Sequence, residues 1–327
     1  MQPRVTDNRG LVQALIGDGR PFLIFIGLGL ILSGAFALFL AATHHFLPHD
    51  VQFLGFTAEQ LCGLDKCRIV YFMFHDRVAF GGALIAVGAL YMWLAEFPLR
   101  NRESWAWWLF LVSGLAGFAS FLAYLGYGYL DTWHGTGTLL LLPFFVVGLA
   151  RSFLLLPQAK GIQSLFRPGS AVKWSSPFGI GKALLLAVAG GMILGGLTVM
   201  TVGMTSVFVP QDLKFMELTA ANLHAISPRL VPLIAHDRAG FGGAIGTVGI
   251  TVLFCVWCGR PSRSLWQVLC FAGVVGFAAA IGVHPLVGYN DLLHLAPAII
   301  GAIMFVAGLS LCYGAMHSER GVDNDQV

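Results

Sequence analysis

His75-Asp76-Arg77-Val78-Ala79-Phe80-Gly81-Gly82-Ala83 stands 161 residues before His236-Asp237-Arg238-Ala239-Gly240-Phe241-Gly242-Gly243-Ala244. Two further stretches match at nearly the same spacing. Phe46-Leu47-Pro48-His49-Asp50 precedes Phe208-Val209-Pro210-Gln211-Asp212 by 162 residues, and Gly128-Tyr129-Leu130-Asp131-Thr132-Trp133-His134 precedes Gly288-Tyr289-Asn290-Asp291-Leu292-Leu293-His294 by 160. Near-constant offsets over three separated motifs mark an internal duplication.

The solvent for each copy follows from composition. Of 327 residues, 57% are hydrophobic and 11% charged, against about a quarter charged in soluble domains. With a net charge of +3 and no basic block, nothing points to nucleic acid as a partner. Eight apolar stretches are long enough to span a bilayer, roughly 21–43, 75–97, 104–126, 134–157, 182–206, 236–258, 264–286 and 294–315. The reading is an all-α integral membrane protein of eight transmembrane helices, arranged as two tandem parallel four-helix bundles. Four spans per copy is an even number, so both copies face the same way about a pseudo-two-fold along the membrane normal. The first repeat covers 1–157, a cytoplasmic linker 158–181 and the second repeat 182–327. With both termini in the cytoplasm, 13 of the 19 Lys and Arg residues fall inside, the orientation expected in a plasma membrane.

The duplication also filters the ten histidines. His75 recurs as His236 and His134 as His294. His44, His45, His49, His224, His284 and His317 have no histidine counterpart, so changing His284 is expected to leave a heme spectrum alone. Each His-Asp-Arg opens the second span of its half and each Asp-x-x-His the fourth, which puts all four histidines at the outer edge of the membrane. Spans 2 and 4 of one half run in parallel, so His75 is expected to face His134, and His236 to face His294. Two imidazoles on facing bundle helices are a common way to hold heme b. Arg77 and Arg238 then become partners for its propionates. The pairs Gly81-Gly82 and Gly242-Gly243 would admit a flat body or a neighbouring backbone.

Blander roles exist for the same residues. Asp131 and Asp291 suit helix N-caps, and His75 and His236 suit interfacial anchors. Trp105, Trp107, Trp108, Tyr124, Tyr127 and Tyr129 suit an interfacial aromatic belt. Cys62 and Cys67, in the first outer loop, can form a disulfide or a redox-active pair, with Gly63 allowing the tight turn. Cys255, Cys258, Cys270 and Cys312 read as packing.

The pattern resembles heme A synthase, a family of eight spans in two four-helix halves with a histidine on spans 2, 4, 6 and 8 and a cysteine pair in the first outer loop. His75, His134, His236 and His294 fall on those histidines, and Cys62 and Cys67 on the pair. Phe72 stands where that family has a glutamate serving oxidation of the heme methyl, and Asp76 intervenes between histidine and arginine. The His-Asp-Arg and Gly-Tyr-x-Asp-x-x-His motifs are also similar to those of an uncharacterised bacterial membrane family. The resemblance implies a heme-binding oxidoreductase or electron-transfer protein, with a quinone or respiratory electron donor as partner. Two alternatives use the same residues. One is a metal-dependent enzyme holding zinc or iron through His75, Asp76, Asp131 and His134, with a matching site around His236, Asp237, Asp291 and His294. The other is a parallel-repeat transporter with a proton relay.

Overall fold

The structure, a computed structural model, describes residues 10, 16–120, 129, 132–157 and 161–318. Among these it is all-helical. The first copy contributes α1 (Arg20–Ala42), α2 (Pro48–Leu54), α3 (Ala58–Asp65), α4 (Arg68–Glu96), α5 (Ser104–Ser120) and α6 (Thr132–Phe153). The second contributes α7 (Pro177–Met204), α8 (Pro210–Met216), α9 (Ala220–Ile226), α10 (Leu230–Cys258), α11 (Arg263–Val287) and α12 (Leu292–His317). Seven of these helices are long and apolar enough to cross a membrane, which makes this a multi-pass membrane protein; α5 is apolar but has 17 described residues.

Small residues set the packing, because in lipid close approach rather than water exclusion holds helices together. In the first copy α1 crosses α4 where Gly27 meets Gly88 and Gly34 meets Gly81. In the second, α7 crosses α10 where Gly196 meets Gly242. The next glycine in each pair looks the other way. Gly82 abuts Ala279 on α11, and Gly243 abuts Ser120 on α5. Each third long helix is therefore exchanged: α11 packs chiefly on α4 of the other copy, and α5 chiefly on α10. The helices α4 and α10 also touch each other and form the buried centre. This differs from two separate bundles, and the reason is the double glycine, which gives α4 and α10 two close-packing faces instead of one. Neighbouring helices fill the space beside both pairs, with backbone against Gly81 and Gly242 and the Ala279 and Ser120 side chains against Gly82 and Gly243.

Both α4 and α10 begin six or seven residues before the expected spans. At about 1.5 Å per residue, His75 and His236 therefore lie two turns below the helix starts, not at the rim. Above them, the paired short helices α2–α3 and α8–α9 form a cap. Phe46, Leu61 and Phe72 pack there with Phe208, Leu223 and Tyr289. Arg229 donates to the Phe53 carbonyl at 2.8 Å, and Arg68 pairs with Glu217, so the two copies' caps hold each other. Near this end, Cys62 and Cys67 are joined by a disulfide between α3 and α4. The turn falls on Lys66 and Cys67, at φ +48° and +64°, rather than on Gly63, because α3 continues through Asp65.

At the opposite end, the linker is packed against the helices. Its short 3-10 helix, Ile162–Phe166, lies on α5 and α10. Gly169 N–H and Lys182 Nζ both donate to the Trp257 carbonyl, at 3.0 and 3.2 Å. Cys255, Cys258 and Cys312 are free and buried and Cys270 is free and half-buried, and Cys258 donates to the Leu165 carbonyl. Of the aromatics read as an interfacial belt, Trp105, Trp107 and Tyr129 are instead buried in protein. Trp107 donates to the Leu149 carbonyl at 2.9 Å. Tyr124 and Tyr127 lie outside the described residues.

Candidate metal centre and paired histidine sites

Each His-Asp-Arg triplet offers three polar groups to three directions of one helical turn. The exchange between copies decides what each one meets. Asp76 lies beside its own histidine, with Oδ1 3.1 Å from His75 Nδ1, and its other oxygen accepts from Arg238 Nε at 3.3 Å. The mirror pair is His236 Nδ1 with Asp237 Oδ1 at 3.2 Å, and Asp237 Oδ2 accepting from Arg77 Nε at 2.8 Å. So each carboxylate orients the histidine of its own copy and is itself held by the arginine of the other.

The arginines are engaged a second time. Arg77 Nη1 reaches Asp50 Oδ2 at 2.9 Å, and Arg238 Nη1 reaches Asp212 Oδ2 at 2.8 Å. These two aspartates come from the first turns of α2 and α8, where Asp212 also accepts the Val209 N–H at 2.8 Å and Asp50 the Leu47 N–H at 3.4 Å. Tyr129 donates to Asp50, and Tyr289 donates to Asp212 at 2.7 Å. Tyr289 sits in the turn between α11 and α12. Burial, then the charge of Asp212, pushes its hydroxyl well above the usual tyrosine range, so it stays protonated and donates. Asp50 and Asp212 are almost fully buried. With four carboxylates and two guanidinium groups, the lattice carries a net charge of −2 when its imidazoles are neutral. Because Arg77 and Arg238 already serve two carboxylates each, they are not placed as anchors for propionates.

The four repeated histidines pair across the copies. His75 meets His294, with ring centroids 5.4 Å apart, and His134 meets His236 at 5.5 Å. This replaces the expected pairs within each copy. The cause is again the exchange: α4 leans on the second copy and α10 on the first. His284 joins the first group. Its Nε2 lies 3.0 Å from His75 Nε2, and its ring is 5.3 Å from that of His294. One ligand nitrogen from each of His75, His284 and His294 lies within 4.8 Å of the others. His284, which the repeat did not select, is buried in this group.

His75 Nδ1 lies 3.1 Å from Asp76 Oδ1, and its Nε2 faces His284. His294 Nδ1 lies 3.4 Å from the Tyr289 hydroxyl. Since that hydroxyl donates to Asp212, it accepts from His294 Nδ1–H, and His294 also presents Nε2. The rings of His75 and His294 thus both stand beside that of His284. At 3.0 Å, a proton or a cation has to sit between the His75 and His284 nitrogens.

The remaining site residues fall into place around this. Asp291 caps α12, with Oδ1 accepting from His294 N–H at 3.0 Å, and so fixes the histidine's backbone rather than ligating. Asp131 lies outside the described residues, and so does Tyr124, which stands 160 residues before His284. Asp50, Asp212, Tyr289 and His284 were not singled out from sequence. The aspartates recur in the Pro-x-Asp motif and were signalled; His284 has no duplicate and was hidden by the very filter that found the others. No family model, curated protein or solved structure matches the chain.

Proposed function

We propose that this is a membrane metalloprotein in which His75, His284 and His294 hold a divalent transition-metal ion, zinc or iron, at a centre with open coordination positions. The observation that carries this reading is the convergence of three imidazole nitrogens from α4, α11 and α12 within 4.8 Å. Tetrahedral ligands at about 2.0 Å from a metal stand about 3.3 Å apart, so modest ring rotations close the set. Imidazole suits zinc, copper, iron and nickel. Three protein ligands with a free position is the arrangement of catalytic rather than structural centres. Asp76 and the Tyr289–Asp212 pair supply the outer-shell acceptors that ligating histidines need. The net negative charge of the surrounding lattice favours a cation.

Heme b fits this cluster poorly. Two axial nitrogens on opposite faces of a porphyrin lie about 4 Å apart with the macrocycle between them, and the 3.0 Å contact between His75 and His284 leaves no such gap. Near His134 and His236, Asp50 and Asp237 would face the propionates.

Metal content tests the reading. Chain purified in detergent should carry about one zinc or iron by elemental analysis, with no Soret band. His284→Ala should lose most of that metal, whereas His317→Ala, on the far end of α12, should keep it. A metal-free wild type, or a Soret band in place of the ion, would sink the proposal.

We read the eighth span as α5 together with the residues that follow it, and the capped end as the outer face of the plasma membrane. Reporter fusions at residues 56 and 218 should then report an exterior location and a fusion at 168 the cytoplasm. An interior signal at either outer position reverses the orientation.

A further inference from the structure

A cavity lies on the side of the first copy, away from the three-histidine cluster. Its upper part, about 170 Å³, is bounded by Asp50, Arg77, His134, His236 and Asp237. Its lower part, about 200 Å³, runs between α1, α4, α5, α6 and α10 along Ile26, Leu30, Leu84, Val87 and Leu141. Ser33, Phe80, Trp133 and His134 border both parts, so the two adjoin. Four hydroxyls in the lower part, those of Tyr91, Ser113, Ser120 and Thr247, face one another or the backbone. Tyr91 and Ser113 bond at 2.8 Å, and Thr247 donates to the Gly243 carbonyl at 2.8 Å. The cavity is thus polar at one end and apolar along the other.

Its mouth faces lipid. Phe36 on α1 and Trp133 on α6 flank the upper part, stand 6.4 Å apart, and are 44% and 58% exposed. On a membrane protein such apolar exposure lies against the bilayer, so a ligand entering between α1 and α6 arrives from the membrane.

The charge at the polar end selects the headgroup. Among the described residues lining it, Arg77 is the cation and Asp50 and Asp237 are the anions, both in contact with that arginine. With neutral imidazoles the end carries −1. An anionic head would meet carboxylates with no free guanidinium to offset them. A neutral head that donates hydrogen bonds meets acceptors: carboxylate oxygens and imidazole nitrogen. The aromatic border of Phe80 and Trp133 suits a ring.

From this we infer that the first-copy cavity binds a membrane-soluble lipid with a neutral hydroxyl-bearing aromatic head, of the phenol or quinol class, its hydroxyl toward Asp237 and the His134–His236 pair and its tail along α1 and α6. This binding does not depend on metal at the other site.

Three probes with one tail separate the chemistry: para-decylphenol, para-decylbenzoate and the methyl ether para-decylanisole. Each is incubated with the full chain in detergent, and the ligand retained after gel filtration is quantified by mass spectrometry. Decylphenol should be retained at about one per chain, and the carboxylate and the ether at least about tenfold more weakly, a difference of about 1.4 kcal/mol. Ser33→Phe, which fills the junction of the two parts, should abolish retention. Leu32→Phe, at a neighbouring exposed position, should leave it unchanged, and both variants should elute as the wild type does. Equal retention of the three probes overturns the headgroup assignment. Undiminished retention of decylphenol by a well-folded Ser33→Phe overturns the cavity as the site.

Discussion

Arg238→Ala is expected to destabilise the folded protein by about 3–5 kcal/mol, the cost of removing one partner from a buried ion pair. Arg238 bonds Asp76, Asp212 and the Val207 carbonyl, all buried beneath the loop cap. Its removal leaves two carboxylates facing each other with no cation and little water. The midpoint of unfolding in a graded denaturing detergent should fall accordingly. Arg77→Ala should cost less, because that side chain is 14% exposed against 6% for Arg238 and water can reach its carboxylates. Converting Asp76 to Asn in the Arg238→Ala background should recover part of the loss, since one unpaired charge disappears. An Arg238→Ala protein that unfolds at the wild-type midpoint would show that the lattice does not hold the copies together.

The second large effect is steric. Gly242→Leu is expected to cost about 3 kcal/mol, at the upper end for overpacking. A side chain there would begin 2.6 Å from Met200 N and 2.7 Å from Gly196 O, and both are backbone atoms of α7 that cannot rotate away. The two helices would have to separate, which would also move His236 and Arg238 in the turns above. Gly246→Leu, one turn below on the same helix, is the control, because a Cβ there meets nothing within 4 Å. Matching losses for the two variants would mean that the α7–α10 contact is looser than the glycines imply.

The sequence was legible where information is local or duplicated. Hydropathy located the long helices because a span needs an unbroken apolar run, and their ends agree to within about five residues except at the starts of α4 and α10, with the expected end of the third span at 126 lying outside the described residues. There the first two turns, such as Ile69–Phe74 and Leu230–Ala235, carry side chains that pack under the loop cap rather than against lipid. The repeat singled out His75, His134, His236 and His294 without an alignment. It was silent on partners. A parallel duplication permits each third helix to pack on either copy, and the choice rests on which glycine of Gly81-Gly82 faces which neighbour. That is a matter of helix phase in three dimensions, and no spacing in the chain encodes it. Asp50 and Asp212 were visible as repeated residues, but their role depended on loops folding back over α4 and α10. His284 was beyond the reach of self-comparison, because what one copy has gained the other cannot reveal.

Reciprocal exchange between α4–α11 and α10–α5 is the geometry of an isologous dimer, in which each subunit lends an element to the other's site. Two identical subunits would have to carry identical sites, and any substitution would appear twice. Here both subunits' worth of structure lies on one polypeptide, so that constraint is lifted. One centre can take a third imidazole at position 284 while tyrosine stays at position 124. The other can keep an open lipid-facing chamber beside His134 and His236. The two centres are thus free to specialise, yet the crossed Asp–Arg pairs keep them mechanically dependent: a change in the tilt of α4 alters the support of both.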